Sequence, residues 1–156
     1  MFEEWLIDGY NLLRDASAQK GNVKLSREKL FGLLADFAAQ GGRKVLMVLD
    51  GCGNDDEFEA YRTKVFNIVY SQFVTADAVI EKTLYERKNS GHFMVVTKDR
   101  AIIQIARGLG SRVTEPEEFM ELLKDQRKET DQILFIEKIK SHGFNRPFEK
   151  IKPPIE

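Results

Sequence analysis

The sequence predicts an α/β protein, a parallel sheet with helices on both faces. Strand-like and helical segments alternate almost throughout the chain, and no internal repeat interrupts them. Lys44 to Leu49 reads Lys-Val-Leu-Met-Val-Leu, apolar at nearly every position, as suits a strand covered on both sides. Aspartates recur just after the strand-like runs. In order, Trp5-Leu6-Ile7 is a short buried strand that stops at Asp8-Gly9. Ser26 to Gln40 reads as a helix that Ser26 can cap, with Leu30, Phe31, Leu34, Phe37 and Ala38 at helical spacing and Gly41-Gly42 as its end. The strand from Lys44 is bounded by Asp50-Gly51, and the polar stretch to Tyr61 is a loop or a loop with a short helix. Val65 to Phe73, β-branched and aromatic, predicts a third strand. A helix starts at Thr75 and runs to about Arg87, with Val79, Ile80, Thr83 and Leu84 as its core face. Phe93 to Thr97 is a fourth strand. Asp99 caps a helix to about Gly108, and Gly110 closes the connection. Arg112-Val113-Thr114 is a short fifth strand. Pro116 opens a helix to about Lys124, and a separate last helix covers Thr130 to Lys140. After Gly143, Arg146-Pro147 and Pro153-Pro154 predict an extended arm. The expected division is a domain over residues 1–142 and an arm over 143–156.

Composition narrows the function classes. The 156 residues suffice for one domain with a substantial core. With 42% hydrophobic and 31% charged residues, the profile is that of a soluble globular protein. No apolar run approaches the roughly 20 residues of a membrane helix. The acidic start, Met1-Phe2-Glu3-Glu4-Trp5, lacks the basic opening of a signal peptide. A single cysteine, Cys52, excludes an internal disulfide, and two histidines exclude a zinc cluster. These features predict a reducing, cytoplasmic compartment. A net charge of −1 argues against coating nucleic acid by bulk electrostatics, and leaves room for a local acidic pocket with basic patches. Neither G-x-G-x-x-G nor G-x-x-x-x-G-K-[ST] occurs, so no dinucleotide cofactor is expected.

The placement of the aspartates points to chemistry. Asp8 follows the first strand, Asp50 the second, Asp77 opens the helix after the third, and Asp99 follows the fourth. A parallel sheet puts all these carboxyl ends on one edge, where such folds bind ligands. Crowded carboxylates repel, and a hard divalent ion with oxygen ligands, Mg²⁺ or Mn²⁺, relieves the repulsion. Such a site activates water for phosphoryl displacement. Each acid also has an ordinary use. Asp8-Gly9 and Asp50-Gly51 are turn dipeptides, Asp77 suits a helix dipole and Asp99 is a natural cap. Asn11, three residues after Asp8, can orient it or a metal-bound water, or serve a turn. Thr97 can aim its hydroxyl at the same pocket, or simply favour a strand.

Three segments then resemble one family. Ile7-Asp8-Gly9-Tyr10-Asn11-Leu12-Leu13 resembles the opening motif of the NYN domains, which are PIN-like ribonucleases. Thr75-Ala76-Asp77-Ala78-Val79-Ile80-Glu81 resembles their middle acidic motif, and Val95-Val96-Thr97-Lys98-Asp99-Arg100-Ala101 their third. Order and spacing are most similar to the YacP-type branch, which is bacterial and plastid, over residues 5–125. The resemblance implies a PIN-like three-layer α/β/α fold with strand order 3-2-1-4-5, a Mg²⁺ or Mn²⁺ site and single-stranded RNA as substrate. It carries over Asp8, Asn11, Asp77 and Asp99 as site residues, with Asp50 ranked lower at the pocket margin. It implies mRNA decay or processing, with the ribosome as a partner in characterised relatives, and a plastid stroma as the compartment for a plant member. YacP-type proteins often carry a longer, more charged C-terminal helical region than the helix and proline-containing arm expected here.

Arg14, Lys82, Lys98 and Arg100 lie where they can hold RNA phosphates, or form a solvated face. Tyr10 is expected to pack beside the first strand rather than stack a base. The acidic loop 53–57 repels phosphate, Cys52 is expected to be inert, and His92 and His142 lie away from the acids. The alternatives are an RNA-binding or ribosome-associated module with a weak site, and a phosphohydrolase of the haloacid dehalogenase type. The latter usually needs a second aspartate two residues after the first, where this chain has Tyr10.

Overall fold

The computed structural model describes residues 4–17, 27–87 and 93–142. Five strands, β1 (Glu4–Asp8), β2 (Lys44–Leu49), β3 (Phe66–Tyr70), β4 (Phe93–Val96) and β5 (Arg112–Thr114), form one parallel sheet in the order β3-β2-β1-β4-β5. The pairing aligns Leu6 with Leu46 on one side and with Val95 on the other. The helices are α1 (Gly9–Ser17), α2 (Arg27–Gly41), α3 (Ala76–Glu86), α4 (Arg100–Gly108) and α5 (Pro116–His142).

The period-two alternation of strand side chains assigns the helices to two layers. Trp5, Ile7, Val45, Met47, Leu49, Phe66 and Ile68 point to one face, where they meet Leu12 of α1, Leu30 and Phe37 of α2, and Phe119 and Leu123 of α5. Leu6, Val48 and Val95 point to the other, against Ile80 and Leu84 of α3 and Ile102 and Ala106 of α4. Trp5 anchors the first layer, its ring 5.0 Å from Phe37 and 5.3 Å from Phe119 by centroid. The three layers and the strand order are those expected from the sequence.

Three elements differ from expectation, each for a local reason. The dipeptide Asp8-Gly9 makes no loop: α1 begins at Gly9, and Leu12 and Ala16, four apart, bury its inner face. The third strand ends at Tyr70 rather than Phe73, because Gln72 takes a left-handed φ of 63° and turns the chain. The last two expected helices are one, Pro116–His142, since the polar stretch Asp125-Gln126-Arg127-Lys128 consists mostly of good helix formers. In α3 the fully buried positions are Ala76, Ile80 and Leu84, with Val79 and Thr83 only partly covered. A short 3-10 turn, Asp55–Phe58, occupies the loop after β2. The expected cap Ser26, His92 and the arm from Gly143 lie outside the described residues.

Gly9 joins β1 to α1 with no space to spare. A Cβ there would stand 2.6 Å from Leu49 Cδ2 and 2.8 Å from the Val48 carbonyl oxygen. The leucine tip can yield, but the carbonyl belongs to the paired strand. Gly9→Ala should therefore destabilise the domain by about 1–3 kcal/mol, as overpacking does. A urea midpoint equal to that of the native chain would show that β2 moves aside freely.

Candidate active site

The strand order reverses between β1 and β4, the pair from which the chain proceeds outward in both directions. Asp8 closes β1 at this point and is only 3% exposed. Its Oδ2 accepts from Asn11 Nδ2 at 2.5 Å and from Thr97 Oγ1 at 3.2 Å. The Asn11 backbone N–H, in the first turn of α1, also donates to this carboxylate. Thr97 follows β4, is fully buried, and accepts the Asp99 N–H at 3.0 Å through the same hydroxyl. One hydroxyl thus ties the ends of β1 and β4 together. Burial pushes the Asp8 carboxyl above the usual range, the Asn11 and Thr97 hydrogen bonds pull it down, and Asp99 adds to the rise.

The remaining acids are placed by helix starts. Asp99 caps α4, accepting the Ile102 N–H at 3.1 Å. Thr75 caps α3, which sets Asp77 in its first turn. Asp50, just beyond β2, accepts the Ala76 N–H at 2.9 Å. Asp77 feels them all. Its pKa rises to about 6, first through desolvation, then through the charges of Asp99 and Asp8, a side-chain hydrogen bond with Asp99, and last Asp50. The four aspartates expected on one edge therefore form one electrostatic cluster, with Asp77 at its centre and Asp50 acting on it least.

The donor set is entirely oxygen: carboxylates, the Asn11 amide and the Thr97 hydroxyl. That chemistry fits a hard divalent ion, which takes one or two carboxylates and completes its shell with water and phosphate oxygens. Among the described residues, no three His, Cys, Asp or Glu groups stand together as a ready ligand set. Fit therefore rests on donor chemistry and mutual repulsion, and Asp8, Asp77 and Asp99 are the groups that such an ion would draw together.

The basic residues behave less uniformly. Arg14 is exposed on α1, with its guanidinium 4.8 Å from the centre of the Tyr10 ring. Tyr10 is 56% exposed rather than packed beside β1. Arg100 is exposed in the first turn of α4, next to Asp99. Lys98 pairs with Glu117 at 2.9 Å, and Glu117 also holds the ammonium charged. Lys82 pairs with Glu86 at 3.9 Å and lies five residues along α3 from Asp77, roughly 140° around the helix. Glu117 was not singled out in the sequence, where nothing links it to Lys98 before the fold does. Nor was Ser71, whose buried hydroxyl accepts the Gly51 N–H at 3.0 Å and fixes the loop beside Asp50.

Two depressions elsewhere contain none of these acids. One, of about 770 Å³, lies between α2 and α5 and is lined by Leu33, Tyr61, Lys124 and Arg127 among others. The second, of about 220 Å³, sits at the opposite end of the sheet around Glu4, Lys44 and Phe66.

The raised Asp77 pKa has a sign that can be checked. Between an unfolded value of 3.8 and about 6, the folded chain binds more protons than the unfolded one. Stability attributable to this group thus falls as pH rises through that window, and above it the ionised carboxylate is a liability. Without metal, Asp77→Asn should raise the melting temperature at pH near 7.5 by roughly 2–4 °C, allowing for solvent screening, with the gain fading towards pH ~4. A pH-independent difference would mean that the acids do not interact.

Comparison with known proteins places the chain. No curated protein matches it. Among solved structures, Rae1 (YacP) from Bacillus subtilis superposes with a TM-score of 0.65 at 23% identity, covering 89% of this chain and 84% of that one. A single-residue variant of the same protein gives a TM-score of 0.65 at 22% identity with the same coverage. At such identity the likeness speaks for the fold. The family model described as the YacP-like NYN domain matches residues 5–152, nearly the entire sequence, and the chain belongs to that family.

Proposed function

We propose that this protein is a Mg²⁺- or Mn²⁺-dependent endoribonuclease that hydrolyses single-stranded RNA. The observation that carries the reading is the carboxylate cluster at the strand-order reversal, where desolvation and then the charges of Asp99 and Asp8 push the Asp77 pKa up to about 6. Membership of a family with a PIN-like nuclease fold supports it independently. In this reading Asp8, Asp77 and Asp99 hold the metal, with Asp50 at the margin. Asn11 orients Asp8, and Thr97 keeps the Asp8 carboxylate at the junction. A bound ion supplies neutralising charge and an activated water for in-line attack on phosphorus. Arg14, Lys82, Lys98 and Arg100 are the candidate phosphate contacts, and Lys98 and Lys82 would make theirs beside Glu117 and Glu86. The products carry 5′-phosphate and 3′-hydroxyl ends. The site of action in this reading is the cytoplasm, on mRNA engaged with the ribosome.

One observation favours a second reading, an RNA-binding module with a weak site: no three ligating groups are gathered in advance among the described residues. Cleavage of labelled single-stranded RNA in Mn²⁺, Mg²⁺ or EDTA separates the two. Asp8→Asn and Asp99→Asn should each lower the rate on the order of a hundredfold or more while the fold persists. Full activity in either variant would remove the metal-nuclease assignment. Mg²⁺ or Mn²⁺ at millimolar levels should also raise the melting temperature, through binding to the native state alone. A melt indifferent to metal speaks against a clustered site.

A further inference from the structure

Phe73 is 97% exposed. A scattered surface hydrophobe is ordinary, but this one stands on a loop fastened at both ends. The Ser71 N–H donates to the Leu49 carbonyl and the Gln72 N–H to that of Gly51, both at 2.8 Å. Gln72 Nε2 donates to the Gly53 carbonyl at 2.9 Å, and Cys52 Sγ to the Gln72 carbonyl at 3.1 Å. On the other side Thr75 caps α3, and the Ala76 N–H is held by Asp50. Gln72 itself adopts a left-handed φ of 63°, which residues with a side chain seldom occupy. The backbone thus accepts an unfavourable conformation and is locked in it, and the outcome is an aromatic ring held out in water.

The position of the ring says what it fits. The loop joins the end of β3 to the start of α3, on the sheet edge that bears Asp8, Asp50, Asp77 and Asp99. Phe73 precedes Asp77 by four residues. A single-stranded nucleic acid whose phosphates approach this edge brings unpaired bases with it, each offering a flat π face. A duplex hides those faces in its own stack. Aromatic stacking holds such bases without demanding a particular sequence.

We propose that Phe73 is a nucleobase-stacking residue, taking the face of an unpaired base of an RNA strand that lies along the acid edge. The proposal rests on the ribonuclease reading of that edge. It goes beyond that reading by assigning the selectivity for single strands to a residue outside the acid cluster.

The test compares two fluorescein-labelled probes by anisotropy: a short mixed-sequence single-stranded RNA and its abasic counterpart of equal length. Proteins carrying Asp8→Asn in Mg²⁺ prevent cleavage during the measurement. Adding Phe73→Ala should weaken binding of the base-bearing strand about 5- to 100-fold and leave the abasic strand unaffected. In the same Asp8→Asn chain, Phe73→Trp should retain binding, and its indole fluorescence should fall on addition of the base-bearing strand but not the abasic one. Trp5, the single native tryptophan, is buried and remains a constant background. Equal binding with and without Phe73→Ala, equal weakening for both probes, or an unquenched indole in an RNA-saturated protein overturns the stacking role. In each of those cases, metal-dependent cleavage by the native chain keeps the ribonuclease reading. A native chain that neither binds nor cleaves the RNA overturns both.

Discussion

A carboxylate buried where the strand order reverses is the constraint on which the rest of this site depends. Asp8 is nearly excluded from solvent, yet it ends a strand that is itself the centre of the sheet. A buried charge is tolerated only with partners. The fold supplies them from two directions: Asn11 from the helix that begins one residue later, and Thr97 from the neighbouring strand. Both partners exist because β1 lies between β2 and β4, and because Gly9 lets α1 start hard against β2. Chain path and side-chain chemistry are here the same fact.

Around that carboxylate the other acids are stationed by backbone needs. Asp99 accepts one open N–H of α4, that of Ile102, and Asp50 accepts one of α3, that of Ala76. Each placement lowers the local cost of a helix terminus and raises the electrostatic cost of the edge as a whole. Part of that second cost appears at Asp77, whose pKa is raised first by desolvation and then by the charges of Asp99, Asp8 and Asp50. Opposition between local satisfaction and collective repulsion is a recurrent signature of a functional edge.

Most of the architecture was legible in the sequence because apolar periodicity reports burial directly. The run from Lys44 to Leu49, the spacing of Leu30, Leu34 and Phe37, the helix start at Thr75 and the cap Asp99 all appear in the structure where the pattern puts them. The convergence of the aspartates was legible once a parallel sheet was assumed, since each follows a strand. What could not be read was set by contacts between distant residues or by a single dihedral angle. Phe73 looked like the end of a strand because aromatics favour strands. Only the turn at Gln72, held by Gly51 across the loop, turns it outward. Tyr10 looked like packing, and its exposure follows from α1 replacing a turn. The pairing of Lys98 with Glu117 depends on where α5 starts relative to β4, which no local pattern encodes.

Asp99 holds two posts at once, and the overlap shapes how its substitution should be interpreted. Its Oδ1 takes the Ile102 N–H at the start of α4 while its negative charge acts on Asp77 and Asp8. Asparagine preserves the acceptor and deletes the charge, so the helix keeps its first turn. Alanine deletes both, at a cost in helix stability of about 0.5–2 kcal/mol from the lost cap alone. An alanine scan across this edge would therefore blend folding with chemistry and overstate the second. The same double use narrows what this position can hold: the helix start needs a short oxygen acceptor, the proposed metal site needs an acid, and aspartate is the side chain that meets both demands together.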